Sequence, residues 1–284
     1  MTKIAFLGTG LLGGAFAEGA VKRGDQVSAW NRSPDKVKAL GAFGVSAAAT
    51  PAEAVRGVAR VHLVLKDDAV VEEVLAAALP GMSAETVVID HTTTLPKLTA
   101  ARLQRLNDRG VKYLHCPVFM GPPAARNAQG SMLVAGPKAL FEEVSAELAK
   151  MTGRVEYLGE RGDVAAANKL FGNAMIIGAA AVMADILTIA QASDVSGEDA
   201  IKLLGLLDMN AMVAGRGMNM AKGNFAPSFE LAMARKDVRL MLETVGDRPM
   251  AALPAVAARM DQLIAAGRGG EDCTIMAADA LSRP

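Results

Sequence analysis

The hydrophobic and polar positions of this chain change period near its middle. From residue 3 to about 158, short apolar runs alternate with amphipathic stretches: Lys3 to Leu7, Gln26 to Trp30, Arg60 to Leu65, Glu85 to Asp90, Gly110 to Cys116, Ser131 to Ala135 and Arg154 to Leu158. Runs of that length bounded by Gly, Pro, Asn or Asp predict strands, and the stretches between them predict helices. Regular alternation of the two predicts a doubly wound α/β sheet. After it, Gly162 to Ala192 predicts one helix of about 30 residues. Beyond that helix the pattern is helical only, over Ser196 to Leu207, Phe229 to Val245, Met250 to Ala266 and Glu271 to Leu281. The expected organisation is a dinucleotide-binding domain over 1–160 and an all-α domain over 161–284, joined by the long helix.

The first strand runs directly into Gly8-Thr-Gly10-Leu11-Leu12-Gly13 and then a helix. In a strand–turn–helix setting this spacing has a mechanical reading. The first glycine permits a tight turn, the second lets backbone approach a pyrophosphate, and the third lets helix and strand pack closely. The free N–H groups at the helix start then face the phosphates. The second strand ends at Asn31-Arg32, with no acid to accept from a ribose 2′-hydroxyl. Arg32 can instead pair with a 2′-phosphate, which favours NADP(H) over NAD(H). Leu65 closes another strand, and Thr92, Thr93 and Thr94 follow a further one, at the sheet edge where ligands bind in open parallel sheets. Asp67 and Asp68 open a helix and are explained by its dipole.

On the long helix, Lys169 and Asn173 stand four apart and share a face with Ile176 and Ala180. A lysine beside an amide on an apolar helix suits proton transfer and substrate orientation. Solvated first turns of a core helix are the plain alternative.

Composition narrows the classes. Thirty basic residues balance thirty acidic ones, so neither nucleic acid nor an anionic membrane is expected as partner. Cys116 and Cys273 lack metal-ligand spacing, and His62, His91 and His115 are scattered, so a reduced, cytoplasmic, metal-free protein is expected. Ala174 to Ala184 is shorter than the roughly 20 residues of a bilayer span and reads as a helix buried on most sides. The sixteen methionines read as deformable filling, or, between Asp208 and Phe229, as lining for an apolar substrate pocket.

Taken in order, Gly8-x-Gly10-x-x-Gly13, Asn31-Arg32, Asp90-His-Thr-Thr93-Thr-Leu-Pro96, Pro117-Val118-x-x-Gly121, Lys169-x-x-x-Asn173 and Lys236-Asp237 resemble the β-hydroxyacid dehydrogenases, relatives of the imine reductases. The resemblance implies a catalytic role for Lys169, substrate holding by Asn173, and cofactor contact by Thr93 and Lys236. With the motif residues it puts Gly8, Gly10, Leu11, Leu12, Gly13, Asn31, Arg32, Leu65, Thr93 and Lys236 at the cofactor. Phe119, Met120 and Gly121 fall in its substrate loop, where the family usually carries Ser-Gly-Gly. It implies hydride transfer between nicotinamide and a carbonyl or secondary alcohol of a small molecule, in a homodimer or homotetramer. Imine reduction and non-catalytic NADP(H) binding are the competing readings. Imine reductases usually carry aspartate or tyrosine where Lys169 stands, which favours carbonyl chemistry.

Overall fold

The computed structural model describes residues 1–281. The elements of its first part are β1 (Lys3–Leu7), α1 (Leu11–Lys22), β2 (Gln26–Trp30), α2 (Pro34–Lys38), β3 (Ser46–Ala47), α3 (Pro51–Ala54), β4 (Arg60–Leu63), α4 (Asp68–Ala78), β5 (Val87–Asp90), α5 (Pro96–Asn107) and β6 (Tyr113–His115). The six strands form one sheet in the order β3-β2-β1-β4-β5-β6, every pair parallel. Such a sheet is covered on both faces, which is why β4 and β5 are buried along their whole length. Alternate residues serve opposite faces: Ile4, Phe6 and Ile89 join Phe16 in one core, while Ala5, Leu7 and Val88 join Leu63 and Leu75 in the other. The strand order reverses about β1, so the crevice beyond its carboxyl end is a switch point, where open α/β sheets bind ligands.

The alternation does not continue as one sheet. After β6 come β7 (Val118–Phe119), α6 (Pro122–Arg126), β8 (Ser131–Val134), α7 (Lys138–Ala149) and β9 (Arg154–Tyr157), and these strands form a separate sheet, antiparallel between β7 and β8. An isolated bridge from His115 to Ala135 links it to β6. The Pro-rich segment after β7 folds into α6, whose first two positions are Pro122 and Pro123.

The long helix is α8 (Val164–Ala192), of 29 residues. The chain divides into two compact units, Met1–Asn173 and Ala174–Pro284. The division falls inside α8 rather than ahead of it at 160/161, so Lys169 and Asn173 belong with the first unit. One expectation fails: α8 is not buried on most sides. Phe171 is 66% exposed, Ile177 69% and Met175 52%, and Val182, Met183 and Leu187 are exposed as well. Among the described residues α8 is the one helix long and apolar enough to cross a membrane by length and composition. A hydropathy pattern reports that a face is apolar, and it does not report what covers that face.

The second unit carries α9 (Gly197–Leu204), α10 (Met209–Met212), α11 (Met218–Ala221), α12 (Leu231–Val245), α13 (Leu253–Ala265) and α14 (Ala278–Leu281). Ser196 caps α9, its hydroxyl accepting from the Asp199 N–H at 3.1 Å. The unit's core packs Leu231, Ala234 and Val238 of α12 on Ala257, Met260 and Leu263 of α13. Asp185 of α8, 1% exposed, accepts from the Ala251, Ala252 and Leu253 N–H groups at the head of α13. Met209, Met212 and Met218 are exposed rather than packed as core filling.

Candidate active site

The glycine turn shows three different requirements. Gly8 has φ +98°, and a Cβ there would lie 2.3 Å from the Val64 carbonyl oxygen. A Cβ on Gly13 would lie 2.0 Å from the Gly8 oxygen, so this residue admits the close packing of α1 on the turn. At Gly10 no atom of the described residues lies within 4 Å of such a Cβ, leaving open space for a ligand against the backbone. Gly10 is also the α1 N-cap and supplies no side-chain cap. The first-turn N–H groups of α1 therefore face outward as an anion site. Leu11 at that helix start is 85% exposed, while Leu12 packs against the core.

A cleft of about 320 Å³ opens from this turn, lined by Gly8, Gly10, Trp30, Asn31, Arg32, Lys36, Val64, Leu65 and Lys66 among others. Asn31 braces the turn: its Oδ1 accepts from the Thr9 N–H at 3.0 Å, and its Nδ2 donates to the Ser33 carbonyl at 3.2 Å. Arg32 and Lys36 enter no ion pair among the described residues, and Lys66 has only Asp67 at 3.8 Å. Three cations around a cleft that begins at a phosphate-type turn form a site for a polyanion. Nothing local in the sequence marks Lys36 or Lys66; α2 and the loop between β4 and α4 bring them to the rim.

The threonine run separates into roles. The Thr92 hydroxyl accepts from the Leu65 N–H at 3.1 Å, and the Thr92 N–H donates to Asp90 Oδ1 at 2.9 Å. The Thr94 hydroxyl lies 2.7 Å from that of Thr99 and 3.2 Å from His115 Nε2. Both are buried, whereas Thr93 is exposed and has no hydrogen-bond partner among the described residues. Asp68 does more than answer a helix dipole, since it accepts from the buried Arg102 at 2.6 Å and from the Leu95 N–H at 2.8 Å. That pairing ties α4 to the segment carrying Thr93.

The histidines, scattered in sequence, are brought together by neighbouring β4 and β5. His62 Nδ1 lies 3.0 Å from His91 Nε2, the rings stack at 5.3 Å, and Phe6 and Phe16 flank the pair. Burial holds His62 well below the usual imidazole range, and it takes His91 down to about 4, partly opposed by the His91 bond to the Cys116 carbonyl. Both are neutral packing groups at pH 7.

The proposed proton carrier stands on the first turns of α8. Lys169 Nζ lies 4.2 Å above the centre of the Phe119 ring. Burial pushes its ammonium below the ordinary lysine value, while the ring face favours the cation and opposes that push. Neither Lys169 nor Asn173 has a hydrogen-bond or ion-pair partner among the described residues, and both are half-buried. A half-buried amine without a counter-ion, one helical turn from an idle amide, can exchange a proton with a carbonyl oxygen that the amide holds. Phe119 and Met120 are likewise half-buried, and Gly121 is exposed at the head of α6. Lys236 belongs to the second unit, on α12, where it pairs with Asp237 at 2.8 Å.

Residues 3–159 match the family model of the NAD-binding domain of 6-phosphogluconate dehydrogenase. Glyoxylate/succinic semialdehyde reductase 1 of Arabidopsis thaliana is 29% identical over 260 residues, covering 90% of this chain and 89% of that protein. The cytokine-like nuclear factor N-PAC of Xenopus tropicalis is 29% identical over 262 residues, or 88% of this chain, and the chain spans about half of it (48%). In fold, an imine reductase from Myxococcus stipitatus in complex with NADP+ superimposes with a TM-score of 0.87 at 18% identity, over 97% of this chain and 99% of that one.

Proposed function

The chain belongs to the family of the NAD-binding domain of 6-phosphogluconate dehydrogenase, among the β-hydroxyacid dehydrogenase-like proteins related to imine reductases, and from that membership we propose an NADP(H)-dependent oxidoreductase with Lys169 as its acid–base group. The bound nicotinamide supplies or accepts the hydride. Lys169 gives its proton to the carbonyl oxygen in reduction and takes it back in oxidation, and Asn173 orients that oxygen. The observation that carries the reading is the Lys169 ammonium: half-buried, without a carboxylate partner among the described residues, and lowered in pKa. Retention of a lysine favours C=O over C=N as the bond reduced. Initial rates with NADPH on a panel of short aldehydes and cyclic imines test this, and turnover of imines alone would reverse the preference.

The residues present fit a phosphorylated dinucleotide, with the Gly10 opening for the pyrophosphate and Arg32, Lys36 and Lys66 at the far rim. Arg32 is the group proposed to meet the 2′-phosphate. Arg32→Ala should weaken NADPH binding by roughly 10- to 100-fold, the worth of one or two charge-assisted hydrogen bonds, and leave NADH binding nearly unchanged. Fluorescence titration with both cofactors checks this; an equal loss for the two would assign Arg32 to the common diphosphate.

The exposed apolar face of α8 is proposed to be covered by a second copy of the chain, giving a homodimer or a homotetramer. Lys169, Asn173 and the amide-bound Asp185 interrupt the helix with polar groups, which suits a protein partner better than lipid. Sedimentation equilibrium should find a species of at least twice the 29.4 kDa chain mass. Replacing the exposed Phe171 and Ile177 by aspartate should return it to a monomer; a monomeric wild type would oppose the proposal. The free thiols Cys116 and Cys273 fit a reducing cytoplasm.

A further inference from the structure

We infer that Phe119 sets the substrate class of this enzyme: an uncharged carbonyl compound with an apolar substituent, in preference to a carboxylated aldehyde or keto acid. The inference rests on the reading of Lys169 as the group that meets the carbonyl oxygen.

Phe119 is built into the helix rather than laid on it. A Cβ on residue 172 would lie 2.2 Å from the ring Cζ and 2.4 Å from Cε1, so glycine at 172 is what admits the ring against α8. The ring therefore occupies a fixed place. On its face rests the Lys169 ammonium, three residues earlier on the same side of α8. An aromatic face attracts a cation without being an anion, so the charge is held in place and still has no counter-ion among the described residues.

The surroundings supply little that a carboxylate needs. An anion is usually held by an arginine fork, by paired backbone amides or by a helix start. Next to Phe119 stands Met120, apolar and half-buried. The helix that follows begins Pro122-Pro123, neither of which has an N–H to donate. Asn173 is neutral. A carboxylate brought here must shed its water for one ammonium that rests on an aromatic ring, because the Asn173 amide is the donor that orients the carbonyl oxygen. A neutral carbonyl gives the same ammonium its oxygen and lays its apolar substituent on the ring without that loss.

The test uses aldehydes of equal carbon number that differ in one carboxylate, butanal and succinic semialdehyde, with NADPH and the full chain. Butanal should have a kcat/KM at least roughly tenfold higher. In Phe119→Ser the ratio should move toward succinic semialdehyde by a similar factor. Gly172→Ala, which displaces the ring, should move it in the same direction. Equal or better use of succinic semialdehyde by the unaltered protein would overturn the inference, as would a ratio unmoved in both variants. Calorimetric titration of the NADPH-loaded protein with butyramide and with succinate reads the same preference without turnover. Tighter binding of butyramide with no reduction of either aldehyde would sink the catalytic reading and retain the neutral site. Tighter binding of succinate, or binding of neither, would overturn the neutral site itself.

Discussion

Lys169→Ala should lower turnover by roughly 10² to 10⁴ and leave NADPH affinity nearly intact, because a positioned acid–base group contributes about that much and the dinucleotide cleft is built from other residues. The pH dependence separates a lost proton carrier from a collapsed site. Burial lowers the Lys169 pKa from the ordinary lysine value of 10.5, so the protonated form needed for reduction disappears at a pH below that value. In the unaltered protein, reduction should fall as pH rises through the lowered pKa, and oxidation should rise over the same range. Both limbs should vanish in the variant. A variant that keeps the limbs at reduced height would transfer the titration to another group, and unchanged turnover would remove Lys169 from the role.

The second large effect concerns stability. Asp185 is 1% exposed and accepts from the N–H groups of Ala251, Ala252 and Leu253, the latter two at 2.9 and 2.8 Å. Desolvation would raise its pKa, yet the three amide donors outweigh it and hold the carboxylate below its usual range. Asp185→Ala leaves three N–H groups at the head of α13 without an acceptor, two of them in the half-buried Ala252 and Leu253, and should cost about 3 kcal/mol, roughly a hundredfold in the folded-to-unfolded ratio of the second unit. Asp185→Asn keeps one acceptor and should cost about half as much. Hydrogen exchange followed by mass spectrometry on α12 and α13 reads this locally. The single tryptophan, Trp30, reports the first unit. The folded pKa lies below the unfolded value of 3.8, so the Asp185 contribution is present above pH 3.8 and lost as pH falls below it. A loss of protection already complete at pH 6 in the unaltered protein would require another group.

Where a residue's role follows from its neighbours along the chain, sequence alone determined it. Gly8 needs positive φ because a strand must turn at once into a helix, and Gly13 must be small because that helix starts against the turn. The strand and helix alternation through β6, the 29-residue α8 and the Ser196 cap come from periodicity and capping, both local. Lys169 and Asn173 share a face by helical spacing alone. Tertiary structure decided the rest, because those contacts join segments whose distance in sequence hides them. The closure of β7, β8 and β9 into a separate sheet depends on pairing across loops. His62 meets His91 only because β4 and β5 are adjacent, and Asp68 pairs with a buried Arg102 from the next helix. Lys36 and Lys66 reach one cleft from two elements. Phe119 lies under Lys169 because Gly172 leaves room for its ring, a match between residues about 50 positions apart that no pattern within either segment contains.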